Sequence, residues 1–272
     1  MSNPYSYHGK TVVVTGGHSG VGAALVELLD ELGAAQITIL DINQPTGTAH
    51  KFVRTDLNDR ASVDAAVAAI GSDGPVDVLF NNAGVAGTLP APVVFCVNYL
   101  GLRHLTERLV ENGTLRRGGA IVNTASIAGY AWAHRLDEHQ ALISLSDWED
   151  ALAELTARGV QDAYVYAKEL VQVYTMHYAR TAAANGLRIN SICPSPIDTP
   201  LLPDFRKTMS DKVIDWNIAQ GNGRLATGRD VALGLAFLGA DASCYINGAN
   251  INLDGGFQAS LTVGNVDYTG LR

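Results

Sequence analysis

Short apolar, β-branched runs alternate with longer stretches of helical spacing along the whole chain. Residues 10–15 (KTVVVT) are apolar almost throughout and end in glycines, the pattern of a buried strand. A helical stretch, 23–32, follows and is closed by Gly33. Further strands are read at 36–40, 51–53 and 75–80 (PVDVLF), with a helix over 60–70 that Asn58 or Asp59 can cap. Next come a helix from Pro92 to near Gly113, a strand at 119–124, a helix over 161–184 and a strand at 187–193. Thr227 opens a helix that runs to Leu238, with Asp230 three residues on as in a capping box, and 250–253 is the last strand. Strands alternating with helices of about a dozen residues imply βαβ units and a parallel sheet. Right-handed crossovers then bring the strand ends, and any ligand, to one edge.

Two segments break this rhythm. Residues 131–160 carry Trp132, Trp148, several acidic groups and mixed helical patterning; residues 201–225 read as irregular and mobile, a flexible loop over about 200–225. There is no internal repeat, low-complexity tract or linker, so residues 1–272 are expected to form a single domain.

Composition narrows the class without naming it. Hydrophobic residues at 47% and charged residues at 17% fit a soluble globular protein with a proper core. A net charge of −8 argues against a nucleic-acid surface, which needs a basic face. No apolar run reaches the ~18 residues of a membrane span, and residues 1–10 have neither the apolar core nor the cleavage site of a signal peptide. Cys96, Cys193 and Cys244 are far apart and lack CxxC spacing, and the seven histidines lack ligand spacing. No metal and no disulfide framework is expected, and a reduced, cytoplasmic setting is.

The chemistry sits at the strand ends. Thr15-Gly16-Gly17-His18-Ser19-Gly20-Val21-Gly22 joins the first strand to the first helix, the context in which a glycine motif binds a dinucleotide. Gly16 allows the tight turn, Gly20 lets the backbone approach a pyrophosphate, and Gly22 lets helix and strand pack closely. The helix N-terminus offers free N–H groups to phosphates. The expected fold is therefore a Rossmann-type, doubly wound parallel α/β sheet with helices on both faces. Asp41, at the tip of the second strand, is placed to accept hydrogen bonds from a ribose diol and to repel a 2′-phosphate. Ile42 and the next residues are not basic, nor is Ser19, so NAD is preferred over NADP. Asp56 either caps the following helix or, with Leu57, faces the adenine.

Tyr164 and Lys168 stand four apart on one face of the 161–184 helix. A cation beside a phenol favours the phenolate, but ionising a tyrosine near neutrality takes roughly 4 kcal/mol. A lysine alone in water does not supply that; a lysine and a positively charged nicotinamide in a drier cleft can. Ser126, just past the fifth strand, opens onto the same edge.

Taken together, TGGHSGVG (15–22), Asp41, NNAG with Asn82, Ala83 and Gly84, Asn98 in VNYLG, Ser126, Tyr164 with Lys168, and PSPIDTP (194–200) resemble the short-chain dehydrogenase/reductase family over nearly the whole chain. The resemblance implies that Tyr164 is the general acid/base, that Ser126 holds the substrate oxygen, and that Lys168 bonds the nicotinamide ribose and keeps the tyrosine's pKa low. It implies that the Asn98 carbonyl holds a relay water, and that Ile197 and Thr199, after Pro194, orient the carboxamide. Tyr166, out of register with Lys168, is left to packing. Ser195 departs from the usual glycine, the stretch between Gly84 and Asn98 is short, and the span from Ser126 to Tyr164 is long. The last two features resemble the bacterial 3α-hydroxysteroid dehydrogenase/carbonyl reductase subgroup.

The resemblance implies NAD-dependent hydride transfer between an alcohol and a ketone, on an apolar small molecule. Steroid, terpenoid, aryl and alicyclic alcohols all suit a pocket lined by Trp132, Leu201, Leu202, Phe205 and Trp216. A non-catalytic NAD-sensing protein is the alternative from another class; loss of Ser126, Tyr164 or Lys168 would have favoured it. Within 131–160, apolar residues at 145, 148, 152 and 155 follow helical spacing and predict an ordered helical insertion docked on the domain. Such a flap covers the helices through which tetramers of this family commonly join, so a homodimer through 227–253 is expected.

Overall fold

The computed structural model describes residues 3–271; Met1 and Ser2, part of the leader stretch read above, and Arg272 lie outside it. In chain order the elements are β1 Thr11–Thr15, α1 Gly20–Glu31, β2 Gln36–Asp41, β3 Lys51–Arg54, α2 Arg60–Gly71 and β4 Val76–Asn81. Then come α3 Ala91–Phe95, a π-helical turn Cys96–Leu100, α4 Gly101–Glu111, β5 Leu115–Thr124 and a 3₁₀ segment Ile127–Arg135. They are followed by α5 Leu136–Ser144, α6 Trp148–Ala157, α7 Ala163–Ala184, β6 Arg188–Pro194 and β7 Ile197–Asp198. The chain closes with α8 Leu202–Met209, α9 Asp211–Gln220, β8 Ala226–Thr227, α10 Gly228–Gly239, β9 Asn250–Leu253 and α11 Phe257–Thr262.

Seven strands form one parallel sheet in the order β3-β2-β1-β4-β5-β6-β9. A strand covered on both faces must be apolar on both, and β4 (VDVLFN) is buried at all six positions. One face carries α2, α4 and α7; the other carries α1 and α10, each over its own apolar cluster. The direction of winding reverses between β1 and β4, which opens a crevice beyond their carboxyl ends.

Three local readings change. The helix begun at Pro92 is not uniform: the N–H of Gly101 bonds the Cys96 carbonyl, one residue further back than in an α-helix, and Asn98 sits within this π turn. Such turns insert one residue into a helix and recur at functional sites. The segment read as irregular, 201–225, instead holds α8 and α9, its two ends clipped together by the β7–β8 pair. The α8 sequence is amphipathic, but Pro203 and the polar run around it hid the pattern. A further helix, α11, follows the last strand.

Residues 131–160 are an ordered helical insertion. Leu142, Ile143, Trp148, Ala151 and Leu155 are buried in the α4/α7 cluster, while Leu145 and Leu152 of the expected stripe pack only partly. Polar contacts fix the docking: Arg103 Nη1 donates to the Leu145 carbonyl at 2.7 Å and Arg60 to Glu149 at 2.7 Å. Glu169, fully buried on α7, accepts from Arg135 Nε and Nη2 (2.9 and 2.6 Å) and lies 2.9 Å from His139 Nε2. Burial works against the Glu169 carboxylate, yet the bonds from His139 and Arg135 hold its pKa below the ordinary value.

Candidate active site

The cradle at the β1–α1 turn is shaped by what its glycines leave out. Gly16 has φ of 71°, and a Cβ there would stand 2.8 Å from Ala83 Cα. A Cβ on Gly22 would lie 1.9 Å from the Gly16 carbonyl oxygen, so only glycine lets α1 begin against this turn. Ser19 leaves the α1 N-terminus without a side-chain cap, and the first N–H groups stay free for an anion. The Asp41 carboxylate hangs over the loop, accepting from the N–H of His18 and of Asn43, both at 3.0 Å. Asp59, not Asn58, caps α2, and Asp56 accepts from the Asn58 N–H at 2.9 Å while still facing the crevice.

Thr15 ties the first strand to the fourth. Its Oγ1 accepts from the N–H groups of Asn82 and Ala83 at 2.9 and 3.0 Å, and Thr124 Oγ1 reaches Asn82 Oδ1 at 3.3 Å. Behind them a buried chain of amides, Asn81 to Asn123 to Thr175, binds β4 to β5 and α7. Asn98, behind the wall, exchanges two 2.9 Å bonds with Val85, and a Cβ on Gly84 would lie 3.0 Å from its Oδ1 and 3.7 Å from Lys168 Nζ. Gly84, Asn98 and Lys168 therefore meet.

Tyr164 and Lys168 project from α7, whose first turn is capped by Asp162, accepting from the Val165 N–H at 3.0 Å. Lys168 Nζ donates to the Thr124 carbonyl at 2.7 Å and lies 5.8 Å from the centroid of the Tyr164 ring. Ser126 is held from both sides: its Oγ accepts from the Ala128 N–H at 3.1 Å and its carbonyl from Gln172 Nε2 at 2.9 Å. Burial pushes the Tyr164 phenol up to about 12, opposed by the Ser126 hydroxyl, and pushes the Lys168 ammonium down to about 8. In the chain by itself burial sets both values; the expectation that Lys168 keeps the tyrosine's pKa low concerns the cleft with the nicotinamide bound. Both groups are dry, burial is the largest cause of each shift, and the lysine's bond goes to the Thr124 carbonyl.

Tyr166, by contrast, turns away from this group. Its hydroxyl donates to Glu138 Oε1 of the insertion at 2.5 Å, and its ring packs on His139 and Phe95.

A cleft of about 980 Å³ joins these groups. Gly16, Ser19, Gly20, Val21, Asp41, Ile42, Asp56, Leu57, Asn82, Ala83 and Gly84 line it, with Ser126, Tyr164, Lys168, Pro194, Ile197 and Thr199. Gly22 and Asn98 stand behind its wall. Of the expected apolar lining, Leu201, Phe205 and Trp216 are present; Trp132 packs into the core instead, and Leu202 is not part of the wall. Reading the sequence missed Tyr130, Met209, Ile214, Phe257 and Tyr268. Phe257 closes the NLDGGF stretch (252–257) that shares in the resemblance, whereas no motif marks Tyr268, which only the fold of the C-terminal segment brings to the cleft. Cys193, buried beneath it, is free, as are Cys96 and the exposed Cys244. Among the described residues no helix is long and apolar enough to cross a membrane, and no group of three or more His, Cys, Asp or Glu is placed to hold a metal.

The comparisons with known proteins agree with this geometry. Residues 10–136 match the short chain dehydrogenase family model, and residues 150–258 match the model described as enoyl-(acyl carrier protein) reductase. The chain is 36% identical over 254 residues to coniferyl-alcohol dehydrogenase of Pseudomonas sp. strain HR199, covering 92% of this chain and 97% of the relative. It is 32% identical to cis-4-hydroxycyclohexanecarboxylate dehydrogenase of Sinomonas cyclohexanicum, over the same shares of the two chains. The 3-alpha-hydroxysteroid dehydrogenase of Pseudomonas sp. B-0831, solved with NADH, superposes with a TM-score of 0.79 at 28% identity, over 94% of this chain and all of that one. With the tyrosine–lysine pair, the glycine cradle and the seven-stranded sheet in one crevice, the chain belongs to the short-chain dehydrogenase/reductase family, oxidoreductases of alcohols and ketones.

Proposed function

We propose that the protein moves hydride between an apolar alcohol or ketone and NAD. The observation that carries this reading is Tyr164, buried beside Lys168 and Ser126 at the carboxyl edge of the sheet. The cradle fits a dinucleotide: its glycines leave room that any Cβ would fill, and α1 begins uncapped. The N–H groups of Ser19 to Gly22 would hold the pyrophosphate. Asp41 would take the ribose diol, Asp56 and Leu57 the adenine, Asn82 to Gly84 the floor, and Ile197 and Thr199 the carboxamide. When bound, the oxidised cofactor supplies a hydride acceptor and a positive charge.

The residues divide the rest of the work. Ser126 holds the substrate oxygen, and Tyr164 takes its proton as hydride leaves. Lys168 would exchange its bond to Thr124 for the nicotinamide ribose and bias Tyr164 toward phenolate. The Asn98 main chain, set within the π turn, would hold the relay water. Asp41, followed by no basic residue in its own loop, favours NAD over NADP; the basic residue beside it is Arg54 on β3.

Among substrates, relatives that act on an aryl alcohol and on a hydroxycyclohexane carboxylate favour a ring-bearing alcohol. A hydroxysteroid is the second reading, favoured by the steroid dehydrogenase superposition. The same reading places the protein in the cytoplasm as a homodimer through 227–253, where Leu233 and Tyr245 are exposed while the insertion covers α4 and α7. Tyr164→Phe tests the catalytic assignment: turnover falls at least ~10³-fold while NAD binding persists, whereas Tyr166→Phe keeps most activity. The reverse pattern would refute it.

A further inference from the structure

Resting on the oxidoreductase reading, we propose that the part of the cleft walled by α9, α11 and the C-terminal segment binds an aryl ring of the substrate, and that Asn217 reads a hydroxyl group on that ring. Trp216 is the centre of this wall. It stacks on Tyr268 (ring centroids 5.7 Å apart, planes 24°) and meets Phe257 edge-on (5.2 Å, 90°). The C-terminal segment is pinned there: Trp216 Nε1 donates to the Asp267 carbonyl at 2.6 Å, and the Asp267 N–H donates to Gln220 Oε1 at 2.7 Å. Phe205 packs edge-on against Tyr164 itself (4.9 Å, 64°), so aromatic faces extend from the catalytic phenol into the same cleft. Rigid rings at near right angles make flat walls, and a planar ring can stack on one and meet the other by its edge. A saturated ring of equal size gains only the area it buries.

The second observation is an unmet polar atom. Asn217, next to Trp216, also lines the cleft, and its Oδ1 is buried without a hydrogen-bond partner. A carbonyl oxygen only accepts, so the group that satisfies it must donate. With the amide turned over, a hydroxyl still serves, because it also accepts. Apolar rings around one unmet amide describe a site for a hydroxylated aryl group, and an analogue without the hydroxyl leaves the amide unpaired.

Four alcohols test this with the whole chain: 1-(4-hydroxyphenyl)ethanol, 1-phenylethanol, 1-(4-hydroxycyclohexyl)ethanol and 1-cyclohexylethanol, each assayed with NAD and with NADP. The expected result is a kcat/KM for the hydroxyphenyl compound about 10–100-fold above phenyl. Asn217→Leu should shrink that ratio below about threefold, whereas a purely structural effect lowers both substrates together and leaves the ratio intact. Tyr268→Ala should likewise shrink the preference for aryl over cyclohexyl rings. A hydroxyl preference absent from the unmodified protein, or surviving Asn217→Leu, overturns the proposal. Turnover of the cyclohexyl alcohols alone overturns it and leaves the oxidoreductase reading standing. No reaction of any alcohol or its ketone with either cofactor refutes that reading, and the proposal with it.

Discussion

Lys168→Met removes the cation that α7 sets beside Tyr164, and its effect can be worked from the geometry. Burial, opposed by the Ser126 hydroxyl, places the phenol at about 12, so forming phenolate at neutral pH takes roughly 7 kcal/mol. A unit charge 5.8 Å from the ring, at an effective dielectric near 20, returns about 3 kcal/mol of that. The remaining ~4 kcal/mol falls to the positive charge of the oxidised cofactor. A neighbouring cation favours the anion, so its loss raises the phenol's pKa. In Lys168→Met the rising limb of alcohol oxidation against pH should move up by about 2 pH units, with roughly 100-fold less kcat/KM near neutrality. Lys168→Arg should recover part of the shift. The assay is kcat/KM from pH 5 to 11. It is paired with tyrosinate absorbance of the NAD complex, taken as the difference between the protein and its Tyr164→Phe variant. An unmoved limb and an unmoved tyrosinate titration in Lys168→Met would refute the electrostatic argument.

Asp41→Ala should erode the preference for NAD, since a carboxylate near a 2′-phosphate costs several kcal/mol at partly exposed separations; equal kcat/KM with NADP in the unmodified protein would contradict the assignment. Glu169→Leu leaves Arg135 and buried His139 without their anion and should cost ~2–4 kcal/mol, lowering Tm by roughly 5–10 °C in a calorimetric scan. Because the folded-state pKa of Glu169 is depressed below 4.5, its contribution is complete above that pH and is lost as pH falls through the folded value. Acid unfolding of the Leu variant should accordingly flatten below about pH 4.5 relative to the parent. Leu233→Glu should convert a dimer to monomer in sedimentation equilibrium, and a tetramer joined through α4 and α7 in the unmodified protein would rule out the assembly proposed here.

Much of the fold was legible because its determinants are local. TVVVT and VDVLF carry apolar residues on both faces, Asp77 apart, as a strand covered on both sides requires, and their spacing with helices implies a parallel sheet. Gly16 and Gly22 answered to backbone geometry within eight residues, and Tyr164 with Lys168 to one helical turn. The insertion was readable as helical and docked from its apolar spacing, although the register of its buried face shifted to Trp148, Ala151 and Leu155. Other features depended on parts of the chain distant in sequence. Asn98 is marked by its motif but reads within a plain helix; the π turn, where Gly101 packs on the Leu57 backbone, sets it against Val85 and Gly84. The polar surface of 202–220 concealed two helices whose few apolar groups matter only where they meet Phe257 and Tyr268. The Tyr164–Lys168 spacing sets a cation beside a phenol, but spacing carries no dielectric. Only the folded chain shows that both groups are dry, so that burial raises the phenol's pKa and lowers the ammonium's.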